Sequence, residues 1–179
     1  GPDFQFGFGK MKVDRSIEFL TRIHHGCPST GSLVQTLAPG AIDTIEIAYS
    51  GNHPLKACLV WMDPTAGLNS RAVVNDLNLT CGTATGVEHK PWAFPHASLF
   101  IEHSDSLSLL YDAPAVRQTN PVDNVELIDV DTSGDGPHFL TVSHDGISSQ
   151  SYALTWMEVL PDPWSLPTTT QDTLHCLET

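Results

Sequence analysis

The apolar residues near the start of the chain repeat with the period of a helix. Within residues 10–23, Val13, Ile17 and Leu20 recur at the three- and four-residue spacing that places side chains on one helix face. Gly26 follows closely and is a typical helix stop. The pattern therefore predicts one short amphipathic helix, and no second convincing helix follows it.

From residue 32 onward the period changes to that of β-strands. Short runs rich in β-branched and aromatic residues are separated by clusters of Gly, Pro, Asn and Asp. In residues 41–49, Ile45, Ile47 and Tyr49 fall on one face of the strand and Glu46 falls on the other. Such half-apolar strands pack as a two-layer sandwich. The predicted strands are 32–37, 41–49, 55–61, 73–80, 97–102, 125–130, 138–143 and 152–159.

Two further stretches divide the chain. Residues 104–123 have a weak pattern, and Pro114 and Pro121 argue against a central strand, so we expect a long surface crossover there. The residues after Pro161 are rich in Pro and Thr, as in a linker or tail. We therefore expect a helical segment at 1–26, one all-β domain at 27–160 and a tail at 161–179.

The charge of the chain excludes some partners. Eight basic and 21 acidic residues give a formal net charge of −13, which repels nucleic-acid phosphates and anionic membrane surfaces. No apolar run is long enough to span a membrane, and no charged-then-apolar leader opens the chain. The surplus of carboxylates suits a hard cation such as Ca²⁺, and ordinary solubilising charge is the alternative.

The four cysteines leave two alternatives open. Cys58 and Cys81 fall in predicted strands, where buried free thiols are common, whereas Cys27 and Cys176 flank the sandwich. A disulfide that staples the ends of the domain is expected if the protein is secreted. Neither a CxxC pair nor a zinc-like spacing is present.

Two stretches resemble a known family. Gly7-Phe-Gly-Lys-Met-Lys-Val-Asp-Arg-Ser-Ile17 resembles the Gly-x-Gly turn and helix that close the catalytic domain of subtilisin-like serine proteases. A series of motifs is similar, in order and spacing, to the C-terminal jelly-roll domain of a branch of these proteases, and distantly to the P-domain of proprotein convertases. They are Leu59-Val-Trp-Met-Asp-Pro64, Ala72-Val-Val-Asn-Asp-Leu-Asn-Leu79, Asp123-Asn-Val-Glu126, Phe139-Leu-Thr-Val-Ser143 and Gln150-Ser-Tyr-Ala-Leu154.

This resemblance implies a fold and a function. The fold would be an all-β jelly-roll sandwich of about eight antiparallel strands, and residues 1–26 would be the last helix of a catalytic domain. The chain would be a secreted accessory domain that stabilises the catalytic domain of its parent protease or assists substrate binding. We expect no catalytic residue, because the family's Gly-Thr-Ser-x-Ala nucleophile turn is missing. His25-Gly26 follows the closing helix and lacks the remainder of the catalytic histidine motif.

The resemblance also implies a calcium site. Its candidate ligands are Asp63, Asp76, Asn124 and Glu126. Asp76 and Glu126 lie in otherwise apolar runs, where a carboxylate requires a cation, an arginine or backbone donors. Hydrogen bonding to loop backbone is therefore the alternative to calcium.

A second, weaker calcium candidate comes from the spacing of oxygen-bearing residues. Asp129, Asp131 and Asp135 match the opening of an EF-hand-like loop with Gly at its sixth position. The twelfth position is Leu140, where such loops need a glutamate. A plain β-turn is the alternative.

The rival function belongs to another class. Jelly rolls also serve as carbohydrate- or surface-binding modules, and the fold alone does not decide between these roles. A stacking platform would need an open tryptophan, and Trp92 is the candidate to test, since Trp61, Trp156 and Trp164 fit a core or its edges better. The apolar stripe of the helix also allows a homodimer.

Overall fold

The computed structural model describes residues 12–49, 51–65, 73–83, 86–94, 114–131 and 138–159. Over these residues the chain forms one helix and ten strands. They are α1 (Val13–His24), β1 (Thr30–Leu37), β2 (Ile42–Ile47), β3 (Leu55–Trp61), β4 (Leu77–Thr83), β5 (Glu88–His89), β6 (Trp92–Ala93), β7 (Val116–Arg117), β8 (Val125–Val130), β9 (His138–His144) and β10 (Gln150–Glu158). No helix in the described part is long and apolar enough to cross a membrane.

Eight of these strands form two four-stranded antiparallel sheets. Sheet one has the order β1-β10-β3-β8, and sheet two has the order β2-β9-β4-β5. The pairing is nested, because β1 pairs with β10, β2 with β9, β3 with β8 and β4 with β5. The predicted all-β sandwich is confirmed, and this nested order is compatible with the jelly roll that the resemblance implies.

The core lies between the two sheets and follows the strict alternation of the strands. In β3, Leu55, Ala57 and Leu59 are buried, whereas Lys56 and Val60 point outward. Leu77 and Leu79 of β4 approach them from the opposite sheet and are also fully buried. Because side chains alternate between faces with a period of two, the sequence pattern that predicts these strands also selects the core.

Most of the predicted strands are found within two residues of the expected bounds. The exceptions are β4, which begins at Leu77 instead of residue 73, and the strands β5, β6 and β7, which no pattern predicted. Strand β7 falls within the surface crossover expected between residues 104 and 123, of which residues 114–123 are described; it pairs with β6 outside the two main sheets and is not a central strand. The strand expected at 97–102 and the tail at 161–179 lie outside the described residues.

The helix is anchored to the sandwich through a buried arginine. Arg22 is 2% exposed, and its Nη1 atom donates to the carbonyl oxygen of Glu158 at 2.6 Å and to Oγ1 of Thr30 at 3.3 Å. The apolar stripe that predicted the helix faces outward, since Val13, Ile17 and Leu20 are all at least 60% exposed. The helix thus lies against the sandwich through Arg22, while its exposed stripe leaves the homodimer a prediction.

Candidate functional site

Several of the predicted ligands meet at one end of the sandwich. We call the residues Asp63, Asp76, Asp123, Glu126 and Asp145 the acidic corner. Burial raises the pKa of the Asp76 carboxyl, and the negative charges of Asp145 and Asp63 raise it further. Within the described residues, Oδ1 of Asp76 is buried and accepts no hydrogen bond. Asp145 was not predicted, yet it is the charge that acts most strongly on Asp76.

Asp63 uses both of its carboxylate oxygens to hold backbone. The amide of Val74 donates to Oδ2 at 2.6 Å, and the amide of Asn75 donates to Oδ1 at 2.9 Å. These bonds hold the backbone just before β4, which starts at Leu77. Asp63 thus binds backbone in the way that was expected, as the alternative to calcium, of Asp76 and Glu126.

Glu126 is buried completely and joins the two sheets. It projects inward from β8, and its Oε2 atom accepts a hydrogen bond from the amide of Leu79 in β4. Strand β5 pairs with β4 only at Cys81 and Gly82, so the Glu126 carboxyl occupies the place of a missing neighbouring strand.

The surroundings of Glu126 favour its neutral form. Burial is the main cause that raises its pKa to about 8; the charges of Asp76 and Asp123 act in the same direction, and hydrogen bonding from the amides of Leu79 and Asn120 opposes the rise. Oε1 forms no hydrogen bond with the described residues.

The fourth predicted ligand, Asn124, points elsewhere. Its Nδ2 atom donates to the carbonyl oxygen of Trp61 at 2.7 Å, and the amide of Trp61 donates to the Asn124 carbonyl at 3.2 Å. Of the four predicted ligands, only Asp76 and Glu126 have a buried side-chain oxygen that accepts no hydrogen bond from the described residues. Calcium requires six to eight oxygen ligands. In the part of the chain that the structure describes, no group of three or more His, Cys, Asp or Glu side chains is placed to hold a metal ion.

The second calcium candidate has its first carboxylate engaged. Oδ1 of Asp129 accepts from the indole Nε1 of Trp92 at 2.8 Å and forms an ion pair with Arg117. Asp131 directly follows strand β8 and is exposed, and Asp135 lies outside the described residues. The contacts of Asp129 link the β6-β7 pair to β8 in sheet one.

Asn75 is a structural residue that sequence reasoning missed. It is fully buried, and its Oδ1 atom accepts hydrogen bonds from the amides of Ile147 and Ser148 at 3.2 and 3.1 Å. Its Nδ2 atom donates to the side chains of Ser148 and Gln150. One amide side chain therefore fastens the turn between β9 and β10 to the start of β4. Only its position inside the Ala72–Leu79 motif could have drawn attention to it.

His144 is the second missed residue. Its imidazole is 1% exposed, and neither ring nitrogen forms a hydrogen bond with the described residues. It faces Asp76, whose pKa it lowers. A Cβ atom at Gly146 would lie 2.5 Å from its Nε2 atom and 2.5 Å from Cα of Asn75, so the turn accepts only glycine at this position.

The outer face of sheet one carries a row of apolar side chains. Val34, Ala153, Val60 and Val125 are consecutive cross-strand partners on β1, β10, β3 and β8. They line a groove of about 670 Å³, and none of its lining residues, all of which are described, is charged. Met62 at its margin is 88% exposed. We call this surface the outer apolar row.

The tryptophans offer little open ring surface. Trp61 is buried in the core, and Trp156 packs against this core beside Gly31. The guanidinium of Arg117 lies 4.4 Å from the centre of the Trp92 ring and covers one of its faces. Trp164 lies outside the described residues.

The cysteines fall into two groups. Cys27 is disulfide-bonded, whereas Cys58 and Cys81 are free thiols, and Cys176 lies outside the described residues. Burial raises the pKa of Cys58 and raises that of Cys81 to about 11, so neither is an activated nucleophile.

No protein-family model matches the chain, and no curated protein matches it either.

Proposed function

We propose that this chain is the accessory β-sandwich of a secreted subtilisin-like serine endopeptidase. In this role it has no catalytic residue of its own and docks on the catalytic domain of the same parent chain. The outer apolar row carries the proposal, because a strongly acidic protein has no reason to leave an uncharged, partly apolar sheet face in water unless another surface covers it. The motifs in residues 59–154 and the leading helix are what connect this surface with the protease family.

Docking of this kind explains how such a domain stabilises its parent. A partner that binds only the folded state of the catalytic domain shifts its unfolding equilibrium. A covalent tether raises the effective concentration of that partner and makes even a weak interface sufficient. The disulfide at Cys27 agrees with the oxidising compartment in which a secreted protease matures.

The rival role in carbohydrate binding receives less support. Its best platform, Trp92, has its indole nitrogen hydrogen-bonded to Asp129 and one ring face under Arg117. A sugar would have to displace these contacts before it could stack. Calcium remains part of the proposal, with Asp76 as the first ligand and Glu126 beside it.

The docking surface is tested with a charge placed on the outer apolar row of the whole parent protease. Met62→Asp is expected to lower the melting temperature of the catalytic domain, by about 2–4 °C for each kcal/mol of interface energy lost. Ile42→Asp is the matched control, because Ile42 is 68% exposed at the edge of sheet two. Equal effects of the two substitutions, or no effect of Met62→Asp, would refute docking through this face.

The parentage is tested independently of the docking surface. The reading frame upstream of residue 3 is expected to encode a Ser-His-Asp subtilisin domain, whereas the isolated chain is expected not to react with a fluorophosphonate serine probe. An unrelated upstream module, or stoichiometric labelling of one serine in this chain, would overturn the assignment.

A further inference from the structure

The four edges of the two sheets are protected to very different degrees. Strand β8 lies beside the β6-β7 pair, to which Asp129 is bonded, and β5 is only two residues long. Strand β2 carries Asp43 and Glu46. Charges, very short strands and covering segments are the usual devices that prevent an edge from pairing with another chain.

Among the described residues, strand β1 carries none of these devices, apart from helix α1, which contacts it at Thr30. It is an edge of sheet one, it is eight residues long, and its sequence Thr30-Gly-Ser-Leu-Val-Gln-Thr-Leu37 contains neither a charged residue nor a proline. Its register with β10 runs without interruption from Thr30 opposite Met157 to Leu37 opposite Gln150, so no bulge turns the edge away. Helix α1 lies near the outer face, where it lines a groove with Cys58 and Thr155. Among the described residues, no strand pairs with the open side of β1.

We propose that β1 pairs antiparallel with β1 of a second copy of this chain, which joins the two copies of sheet one into a single sheet. The proposal does not depend on the function proposed above. The register with Val34 opposite Val34 of the second copy satisfies the two-fold symmetry of an isologous dimer. It also places Ser32 opposite Thr36, and Leu33 opposite Gln35.

The distribution of charge explains why we infer a second copy of the chain as the partner and β1 as the edge that pairs with it. The chain carries a net charge of −13, so most of its surface repels an identical molecule. Every cross-strand pair in the proposed register is uncharged. The same operation on β2 would bring its carboxylates Asp43 and Glu46 close to their own copies, which destabilises a sheet.

The side chains on the edge supply the apolar contact. Val34 is 78% exposed in the single chain, although it sits in the middle of a strand. Pairing places it against its own copy and continues the outer apolar row from one sheet into the next. Aliphatic pairs that lie directly opposite each other are a main source of sheet stability.

The test is sedimentation of the complete 179-residue chain over a concentration range from about 10 µM to about 1 mM, which covers the weak interfaces expected of edge pairing. We expect a monomer–dimer equilibrium. Val34→Lys should raise the dissociation constant at least about tenfold, because two ammonium groups would then face each other across the two-fold axis. Thermal melting of the monomeric variant establishes that it is folded.

Two control variants distinguish the edge from other surfaces. Ile42→Lys charges the edge of sheet two, and Met62→Lys charges the outer apolar row away from β1. Both variants should dimerise like the unsubstituted chain. A monomer throughout the range, whether or not its edge accepts an extended peptide, overturns the proposal. A dimer that Val34→Lys leaves intact, or that either control abolishes, overturns it as well.

The register is tested by cysteine cross-linking. Val34→Cys should form an intermolecular disulfide under mild oxidation, because directly opposed residues in an antiparallel pair have the Cα separation that a disulfide requires. Thr36→Cys should not link to itself, but it should link to Ser32→Cys when the two variants are mixed. Efficient self-linking of Thr36→Cys together with none by Val34→Cys would overturn this register.

Discussion

At the scale of single residues, the structure depends on one buried carboxyl group. Glu126 reaches from β8 in sheet one to the amide of Leu79 in sheet two, where it takes the place of a strand. A charged carboxylate in this position is costly, and burial therefore raises its pKa to about 8. The same residue thus joins the sheets and makes their stability depend on pH.

The sign of that dependence follows from linkage. The unfolded chain releases the Glu126 proton near 4.5, whereas the folded chain keeps it until about pH 8. Folding stability should therefore fall as pH rises through this window, by at most about 1.4 kcal/mol for each pH unit, and level off above it. Chemical denaturation in the presence of EDTA, which excludes any contribution from a bound cation, measures the slope.

Glu126→Gln removes the titration and retains an oxygen for the amide of Leu79. The folding stability of this variant should depend less on pH, and at pH 8 the variant should be more stable than the unsubstituted chain. Glu46→Gln, at an exposed position of β2, is the matched control and should leave the slope unchanged. Identical slopes of folding stability against pH for the unsubstituted chain and for Glu126→Gln would contradict this account.

At the scale of secondary-structure elements, Asn75 fastens two connections together. It lies before β4 and bonds the turn between β9 and β10, with partners 73 positions away in the sequence. Asn75→Ala leaves the amides of Ile147 and Ser148 without this acceptor and the buried side chain of Gln150 without this donor, and it should destabilise the domain by about 2–4 kcal/mol in denaturant unfolding. Asn124→Ala, which removes one amide at an exposed position, should cost about 1 kcal/mol or less. Equal losses would show that Asn75 is not a fastening point.

Local patterns predicted the elements whose cause is local. The bounds of β3 and β8 agree with the sequence because each strand alternates fully between core and surface. The two-residue strands β5, β6 and β7 are too short to show any period. The start of β4 was predicted too early: the amides of Val74 and Asn75 bond to the side chain of Asp63, a contact between separate segments that the local pattern does not reveal.

The candidate site was predictable only in part, for the same reason. The sequence singled out Asp76 and Glu126 because carboxylates in apolar runs are unusual. It did not reveal His144 or Asp145, which become neighbours of Asp76 only when β9 pairs with β4. Nor did it show that Asn124 turns to Trp61, because that contact joins two separate strands.

At the scale of the whole molecule, the acidic corner governs the proposed response to calcium. The charges of Asp63 and Asp145 oppose ionisation of Asp76, and a bound cation would relieve this repulsion. Millimolar EDTA should therefore lower the melting temperature, and excess Mg²⁺ should restore it poorly, since Mg²⁺ prefers smaller octahedral sites. Asp76→Asn should remove the response. An unchanged melting curve in chelator, with no bound metal by elemental analysis, would refute a calcium site.

The nested pairing of strands has a consequence for how the chain acquires its structure. Among the described strands, β1 pairs with β10 alone, the first strand of the sandwich with the last, so Val34 has to find Ala153 across nearly the whole domain. Contacts between such distant segments form late, because closing the long loop costs entropy before any contact repays it. During synthesis the edge of β3 that faces β10 remains open until that strand has left the ribosome. A parent protein of this design therefore completes its sandwich only after translation of the domain has ended.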